Sequence, residues 1–500
     1  MRKKILVIFS ILFLPPAITA TSPHAEVIEK LDLRNALEQA LRNNLNLQLR
    51  REDANSAGGA ALTAAGKFDL LLEAEGRVQT EEQPQIFIGG AEREDSGLWN
   101  AEASKLFSTG TSISLAWNNS RFDSDAGSLF FDSAPISSLD ADNLLINPFY
   151  TSGISLGVRQ SLLRGFGKEV QTAAIRSADK KLAAATYQVN SEAANLAALV
   201  KVAYWHLVFA RQNIEVQKLS LTLAEKLLEE TKTSIAAGRL AEVERYQPQS
   251  EVARREEQLI SAERAIGVAE DELKLLLNSD RWLATFQPTD TPNTEPVDLD
   301  LPAILDNALK NRPDVKAADL LAEAALYEEA RARDAIRPDL SLVGGVGLAG
   351  TADSYGDSLE SSVSAPNNRW QVGVTFSMPL ENSIAKGSYQ QAKADYNRSK
   401  INAELLRQQI RRSVRTTIRD VHLATKALEA TRKTSLATLK RLEAEQAKFA
   451  AGRSTTLDVL AAQEAYAQAL SQQNQTSVNY ADILAELDRI QGLVTFPPSR

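Results

Sequence analysis

The chain contains no cysteine, three histidines and two methionines among its 500 residues. The absence of cysteine excludes disulfide bonds, thiol chemistry and a lipid-modified N-terminal cysteine. The histidines, His24, His206 and His422, are too far apart in the sequence to form a metal-ligand motif, and each is interpreted as a solvated or packed residue. A glycine-rich loop of the kind that binds phosphates is also missing. We therefore expect no enzymatic activity, no cofactor and no metal site.

Long apolar runs are also scarce. After the N-terminus we expect no stretch that is long and apolar enough for a transmembrane helix. The one clear run, Ile5–Leu14, follows three basic residues and precedes small residues, which predicts a secretory signal peptide over residues 1–20. Its removal leaves 53 basic and 64 acidic residues, a net charge of −11, and an acidic surface argues against nucleic acid as a partner. An exported chain without cysteine suits the bacterial envelope, where a membrane location would require a β-barrel.

Two copies of one pattern divide the chain into halves. The segment LDLRNALEQALRNNLNLQ begins at Leu31, LDLPAILDNALKNRPDVK begins at Leu299, and seven of their eighteen positions are identical. Each copy is followed by a short helix pattern, strand-like segments, a very long helix, a glycine turn and a return helix. Such repetition predicts a duplicated architecture, with residues 279–298 as the linker.

The strand-like segments alternate between apolar and small or polar residues. Residues 111–118 and 370–378 show the alternation most clearly. Segments of about ten residues with one apolar face, and with aromatic residues near their ends, predict the wall of a membrane β-barrel. A soluble sheet with one wet face is the alternative.

Two very long helices occupy most of the remaining sequence. Residues 171–237 contain neither proline nor glycine, and their apolar residues recur every three or four positions, as in a coiled-coil seam. We expect Gly238 to end this helix and residues 242–278 to return antiparallel to it. Pro248 either kinks the return helix or marks its late start. The second half repeats this hairpin over residues 385–450, Gly452 and 457–491.

This order of elements resembles the TolC-like outer-membrane efflux proteins over essentially the whole mature chain. The resemblance rests on QSLLRGFG at 160–167, SMPL at 377–380, FDL at 68–70 and PDL at 338–340. It implies an α+β membrane protein whose duplicated halves form a trimeric outer-membrane β-barrel continuous with a long periplasmic α-helical barrel. The implied divisions are a signal peptide (1–20), a periplasmic equatorial helix (21–67), first-half barrel strands and extracellular loops (68–166), the first helical hairpin (167–278, tip 237–244), the linker (279–298), equatorial helices (299–337), second-half strands (338–380), the second hairpin (381–493, tip 451–458) and a C-terminal tail (494–500).

One segment departs from the family's simplest plan of two strands in each half. Residues 97–118 look like an added hairpin. If both of its strands joined the wall, a trimer would have eighteen strands instead of twelve. We expect the hairpin to have a role outside the wall.

The resemblance also assigns roles at the two tips, which in that family bind a periplasmic adaptor and close the tunnel. It implies tip or adaptor contacts for Gly238, Arg239, Leu240, Glu244, Gly452, Arg453, Ser454 and Thr455. Asp458 matches the first of two acidic residues that form the family's constriction, and Ala461 stands at the second, so a single acidic ring is expected. Phe449 and Ser454 replace the tyrosine and arginine of the closed-state latch that Glu244 would join. The simpler interpretation of Asp458 is an acidic residue that complements a helix dipole.

The function implied is a passive outer-membrane exit duct for efflux or type I secretion. Its partners would be two further copies of the chain, a periplasmic adaptor, an inner-membrane transporter and the lipid of the outer membrane. The alternative is a periplasmic adaptor or a structural coiled-coil protein of the envelope. An adaptor would have one long hairpin and no lipid-facing strands, so fractionation between outer membrane and soluble periplasm separates the two hypotheses.

Overall fold

The computed structural model describes residues 28–84, 91–125, 147–364 and 366–494. The predicted signal peptide and residues 495–500 of the predicted tail lie outside the described residues. The helices are α1 (Leu33–Asn43), α2 (Leu45–Ala65), α3 (Lys168–Gln171), α4 (Ala173–Ala236), α5 (Tyr246–Leu277), α6 (Leu301–Asn311), α7 (Pro313–Asp334), α8 (Tyr355–Ser364), α9 (Ser383–Ala450) and α10 (Thr456–Ile490). The strands are β1 (Ile28–Leu31), β2 (Leu70–Glu82), β3 (Arg93–Leu106), β4 (Thr111–Ser124), β5 (Phe149–Ser161), β6 (Thr285–Pro288), β7 (Asp339–Ala352) and β8 (Asn367–Ser377).

Both copies of the repeated sequence form the same pair of helices. In the first copy the Asp32 carboxylate accepts a 2.6 Å hydrogen bond from the N–H of Asn35 and caps α1. In the second copy α6 follows Asp300 and has a proline in its first turn, where the missing N–H has no partner to lose. Each short helix is followed at once by a longer one, α2 or α7, which leads into the strands. The predicted duplication is confirmed.

The helices form a layer that is four helices wide along its whole length. The two longest helices, α4 and α9, have 64 and 68 residues, and a helix of that length extends about 100 Å. Helices α2 and α5 pack one after the other along one side of α4, whereas α7 and α10 fill the space between α4 and α9. The lateral order is therefore α2 and α5, then α4, then α7 and α10, then α9. This order leaves α5 and α9 at opposite edges of the lower part of the layer.

Six strands form one antiparallel sheet in the order β2-β3-β4-β5-β7-β8. The expectation that residues 97–118 lie outside the wall is wrong, because they belong to β3 and β4. These two strands pair with each other and, along almost their full lengths, with β2 and β5. Inside the sheet, the backbone N–H and C=O groups on both edges of these strands have hydrogen-bond partners. The outer edges of a separate hairpin would be left without them. A second, two-stranded parallel sheet joins β1 to β6.

The two faces of the large sheet differ in polarity, as the alternation predicts. The row Leu115, Leu156, Val346 and Trp370 consists of cross-strand neighbours on one face, with exposed fractions from 40% to 79%. The matching row on the other face is Ser114, Gly157, Gly345 and Gln371. So large an uncovered apolar surface is unfavourable in water and suits contact with lipid. Helix α8 lies over the end of the apolar face at Gly350.

The expectation that no later stretch could cross a membrane as a helix needs correction. Within the described residues α4 is long and apolar enough to do so by length and composition, but 67% of the qualifying window is buried inside the protein. Val200, Tyr204 and Leu207 of α4 are fully buried in a core that α1, α5, β6 and α10 complete. The apolar content of α4 therefore serves packing between helices.

Candidate functional site at the helix tips

Both long hairpins turn at a glycine with a left-handed backbone. Gly238 has φ of 73° and Gly452 has φ of 71°, a region that other residues seldom adopt. At each turn the glycine N–H bonds to a carbonyl three residues back, and the next N–H bonds to one five residues back. These bonds satisfy the last carbonyls of α4 and α9. The predicted positions of both turns are confirmed.

The start of α10 is fixed by a reciprocal pair of hydrogen bonds between Thr455 and Asp458. The Thr455 hydroxyl accepts from the Asp458 N–H at 3.2 Å, and the Asp458 carboxylate accepts from the Thr455 N–H at 3.1 Å and from its hydroxyl at 2.6 Å. This is a capping box. The hydroxyl of Thr455 is the main cause that holds the pKa of Asp458 below its usual value. Asp458 is exposed and therefore presents a negative charge at the tip.

A second polar group connects the end of α9 to the turn. The Ser454 hydroxyl donates to Glu445, and this bond is the main cause that lowers the pKa of the Glu445 carboxyl. Lys448 forms an ion pair of 3.0 Å with the same carboxylate. The sequence analysis missed Glu445 and Lys448, because their spacing of three residues is common on any charged helix.

The apolar part of the tip holds the two hairpins together. Phe449, for which the sequence analysis expected a latch position, packs against Leu227 of α4 and against Val459 and Leu460 of α10. A ring without a hydroxyl suits this apolar cluster. The phenylalanine therefore joins the hairpins by packing, where a tyrosine would offer a hydrogen bond.

The first tip places its charges in a 3₁₀ turn, Glu242–Arg245, before α5 begins. Glu244 is exposed, whereas Arg245 pairs with Glu242 at 2.9 Å. Pro248 is the third residue of α5, so its missing N–H lies in the first turn, where no intrahelical bond is lost. The late start is therefore the correct interpretation of Pro248, and the kink is not formed.

A cavity of about 730 Å³ lies between the two tips. It brings together Arg239 and Leu240 of the first tip with Gly452 and Ser454 of the second, and Phe449 forms part of its wall. The other predicted tip residues lie outside its lining: Gly238, Glu244, Arg453, Thr455 and Asp458. The predicted residues thus divide into a cavity group and an outward-facing group.

The histidines in the described residues have no part in the tips. His206 of α4 bonds to Asp482 of α10, with 3.2 Å between Nε2 and Oδ2, and this bond is the main cause that raises the pKa of His206. His422 is exposed on α9. His24 lies outside the described residues.

Comparisons with known proteins agree with this architecture. Residues 304–493 match the sequence profile of the family described as Outer membrane efflux protein, and no curated protein sequence gives a significant match. The solved outer-membrane channel OprN is 18% identical, with a TM-score of 0.68 over 92% of this chain and 89% of its own. VceC of Vibrio cholerae is 17% identical, with a TM-score of 0.66 over 92% and 96%. CmeC of Campylobacter jejuni is 15% identical, with a TM-score of 0.68 over 92% and 85%.

At these identities the structures establish the shared fold, and the profile match establishes kinship in the second half. The duplication confirmed above extends the same plan to the first half. The second half of the chain therefore matches the outer membrane efflux protein family, and the chain as a whole shares the fold of solved outer-membrane channels.

Proposed function

We propose that this chain is the exit duct of a tripartite efflux or type I secretion assembly, acting as a homotrimer that a periplasmic adaptor and an inner-membrane transporter open. The observation that carries the proposal is a sheet with an uncovered apolar face that continues into about 100 Å of helices. Such a chain can place a pore in lipid and its tips far below the membrane. The adaptor or structural coiled-coil alternative explains neither the apolar face nor the second hairpin.

Asp458 is the proposed periplasmic constriction. It is exposed, it lies in the first turn of α10, and hydrogen bonds lower the pKa of its carboxyl. Three such carboxylates around one axis attract cations. Of the proposed adaptor contacts, the cavity group offers a concave surface between the tips, and the outward-facing group lies beside it.

Single-channel conductance of the purified protein in planar bilayers tests the duct and the constriction together. Asp458→Asn isolates the effect of the charge better than Asp458→Ala, because asparagine removes the charge and can still accept a cap hydrogen bond. We expect a small cation-selective conductance in the wild type and a lower ratio of K⁺ to Cl⁻ permeability in Asp458→Asn.

Thr455→Val is the matched control, because it removes the hydroxyl partner and keeps the carboxylate. Equal selectivity in Asp458→Asn and the wild type would remove Asp458 from the constriction and leave the duct. Protein that fractionates with the soluble periplasm and gives no conductance would contradict the duct itself.

A further inference from the structure

Each copy of the chain has two different unpaired edges. In the helical layer, α5 packs on α4 at one edge, and α9 packs on α7 and α10 at the other. In the sheet, β2 and β8 are the edge strands, and β8 leads directly into α9. One side therefore consists of β8 and α9, and the other of β2 and α5. Two unlike edges can meet only head to tail, and such a contact generates a ring when the rotation closes.

The free side of α9 carries basic residues at every seventh position. Val414, Val421 and Leu442 are buried against the neighbouring helices. Residues two positions before a buried one lie about 200° around the helix and so point away from those neighbours. We call this set the basic stripe: Arg412, Arg419, Lys426, Lys433 and Lys440. All five are exposed, and α9 as a whole has fifteen basic and six acidic residues.

The free side of α5 has the opposite charge. Helix α5 contains seven acidic and four basic residues. Among the described residues, three exposed carboxylates on this side form no ion pair, and we call them the acidic edge: Glu257, Asp271 and Glu272. The same side exposes Ile260, Val268 and Leu275 to 66%, 60% and 68%. Arg264 is its one exposed basic residue without an ion pair.

The two sides lie at the same height above the tips. The 3.0 Å ion pair between Arg254 and Glu464 places α5 residue 254 level with α10 residue 464. Gly452 is the turn of the second hairpin; Glu464 follows Gly452 by twelve residues, and Lys440 precedes Gly452 by twelve. Lys440 is therefore level with Glu464, and so with Arg254. Seven-residue steps along both helices then place Lys426 level with Val268 and Arg419 level with Leu275.

We propose that α9 of one copy docks against α5 of the next copy through the basic stripe and the acidic edge. The heights place Glu257 between Lys440 and Lys433, and Asp271 and Glu272 between Lys426 and Arg419. The apolar side chains of α5 pack against the stems of the basic residues. This inference rests on the trimer of the proposed function and identifies the residues that join its copies.

The seam between copies then differs in kind from the seams within a copy. Within a copy, α4 and α10 bury apolar side chains such as Leu207 and Val478. Between copies the apolar contacts are limited to the stems of the basic residues, and the remaining contacts are ion pairs, which salt screens. Copies can therefore shift past one another without unfolding, and this is what an opening of the tips requires.

Charge reversal tests the seam. We expect Arg419→Glu with Lys426→Glu to raise the dissociation constant of the detergent-solubilised trimer at low salt at least tenfold, and Asp271→Lys with Glu272→Lys to do the same. All four changes in one chain restore the trimer, because every seam then has both charges reversed. The differences shrink at about 1 M NaCl, where the Debye length is about 3 Å. Lys218→Glu is the matched control, since Lys218 is exposed on α4, which has helices of its own chain on both sides.

A cross-link tests the register. The chain has no cysteine, so Lys426→Cys with Val268→Cys provides the only thiols, and a short bismaleimide should give covalent trimers. Lys426→Cys with Ala253→Cys offsets the thiols by about 20 Å along α5 and should not. An intact trimer that tolerates each reversal, or one that cross-links only through the offset pair, overturns the seam and leaves the duct. Wild-type protein that is monomeric overturns the duct and the seam with it.

Discussion

Two buried tyrosines hold the segment that links the duplicated halves, and we predict unequal effects from removing their hydroxyls. We call residues 285–297 the linker strap. The Tyr204 hydroxyl lies 2.9 Å from the Asp290 carboxylate and 3.0 Å from the Leu31 carbonyl, and it accepts from the N–H groups of Thr289 and Asp290 at 3.2 and 3.3 Å. Tyr480 donates one hydrogen bond of 2.8 Å to the Glu295 carbonyl. Both rings are fully buried, so Tyr→Phe leaves no large cavity at either position.

The stabilisation that we expect Tyr204→Phe to lose is smaller than that of four hydrogen bonds. The Asp290 carboxylate keeps a 2.8 Å bond from the Leu33 N–H, and the Thr289 N–H keeps a 3.1 Å bond to Leu31. The net loss is about one hydrogen bond to a charged group, about 1.5–2 kcal/mol, whereas Tyr480→Phe removes a neutral bond of about 1 kcal/mol. Because about 1.4 kcal/mol is a factor of ten in an equilibrium, local opening of the strap should rise about 10- to 30-fold in Tyr204→Phe and about fivefold in Tyr480→Phe.

Native-state hydrogen exchange of the purified protein measures this opening directly, because amides in a strap that opens locally exchange without global unfolding. Peptides covering β6 and Asp290 should exchange faster in Tyr204→Phe, and peptides around Glu295 in Tyr480→Phe. Exchange of β6 in Tyr204→Phe that stays within about twofold of the wild type would contradict this prediction, and so would equal acceleration of the same peptides in both variants.

Two further changes give sharp results. The bond to Asp482 raises the pKa of His206 above 6.5. The contribution of this pair to the stability of the fold is therefore complete below about pH 6.5 and is lost as the pH rises through the raised pKa. Asp482→Asn should flatten the dependence of the melting temperature on pH between about 6 and 8. The free energy of unfolding should fall at the acid end by at most about 1 kcal/mol, because the pair is half-exposed. An unchanged slope would contradict this. Gly350→Ala places a Cβ 2.3 Å from the Ser358 carbonyl oxygen, so hydrogen exchange across α8 should accelerate. Gly347→Ala, with its nearest neighbour at 3.6 Å, should leave α8 protected, and equal protection in both variants would show that α8 does not dock at Gly350.

The sequence predicts most of what depends on short stretches of chain. The structure contains three local features that the sequence predicts: the two glycine turns, the late helix start at Pro248, which was one of two options, and a strand at the alternating residues 111–118. The role of residues 97–118 was predicted wrongly, because strand pairing depends on partners far away in the sequence. The packing of Phe449 against α4 also needed coordinates, since its partner Leu227 lies more than two hundred residues away.

In the proposed trimer, the number of strands in each copy sets the bore of the duct. Three copies would place twelve helices around one axis, and at helix spacings of about 9–10 Å these would span a circumference of about 110 Å. Eighteen strands about 4.8 Å apart and tilted by about 40° occupy about 6 Å each along the circumference, which again gives about 110 Å. Twelve strands would span only about 75 Å and would force a taper where helices meet strands. In the proposed trimer, β3 and β4 would let the barrel continue the helical tube at constant width, and the proposed narrowing of the duct would lie at the helix tips.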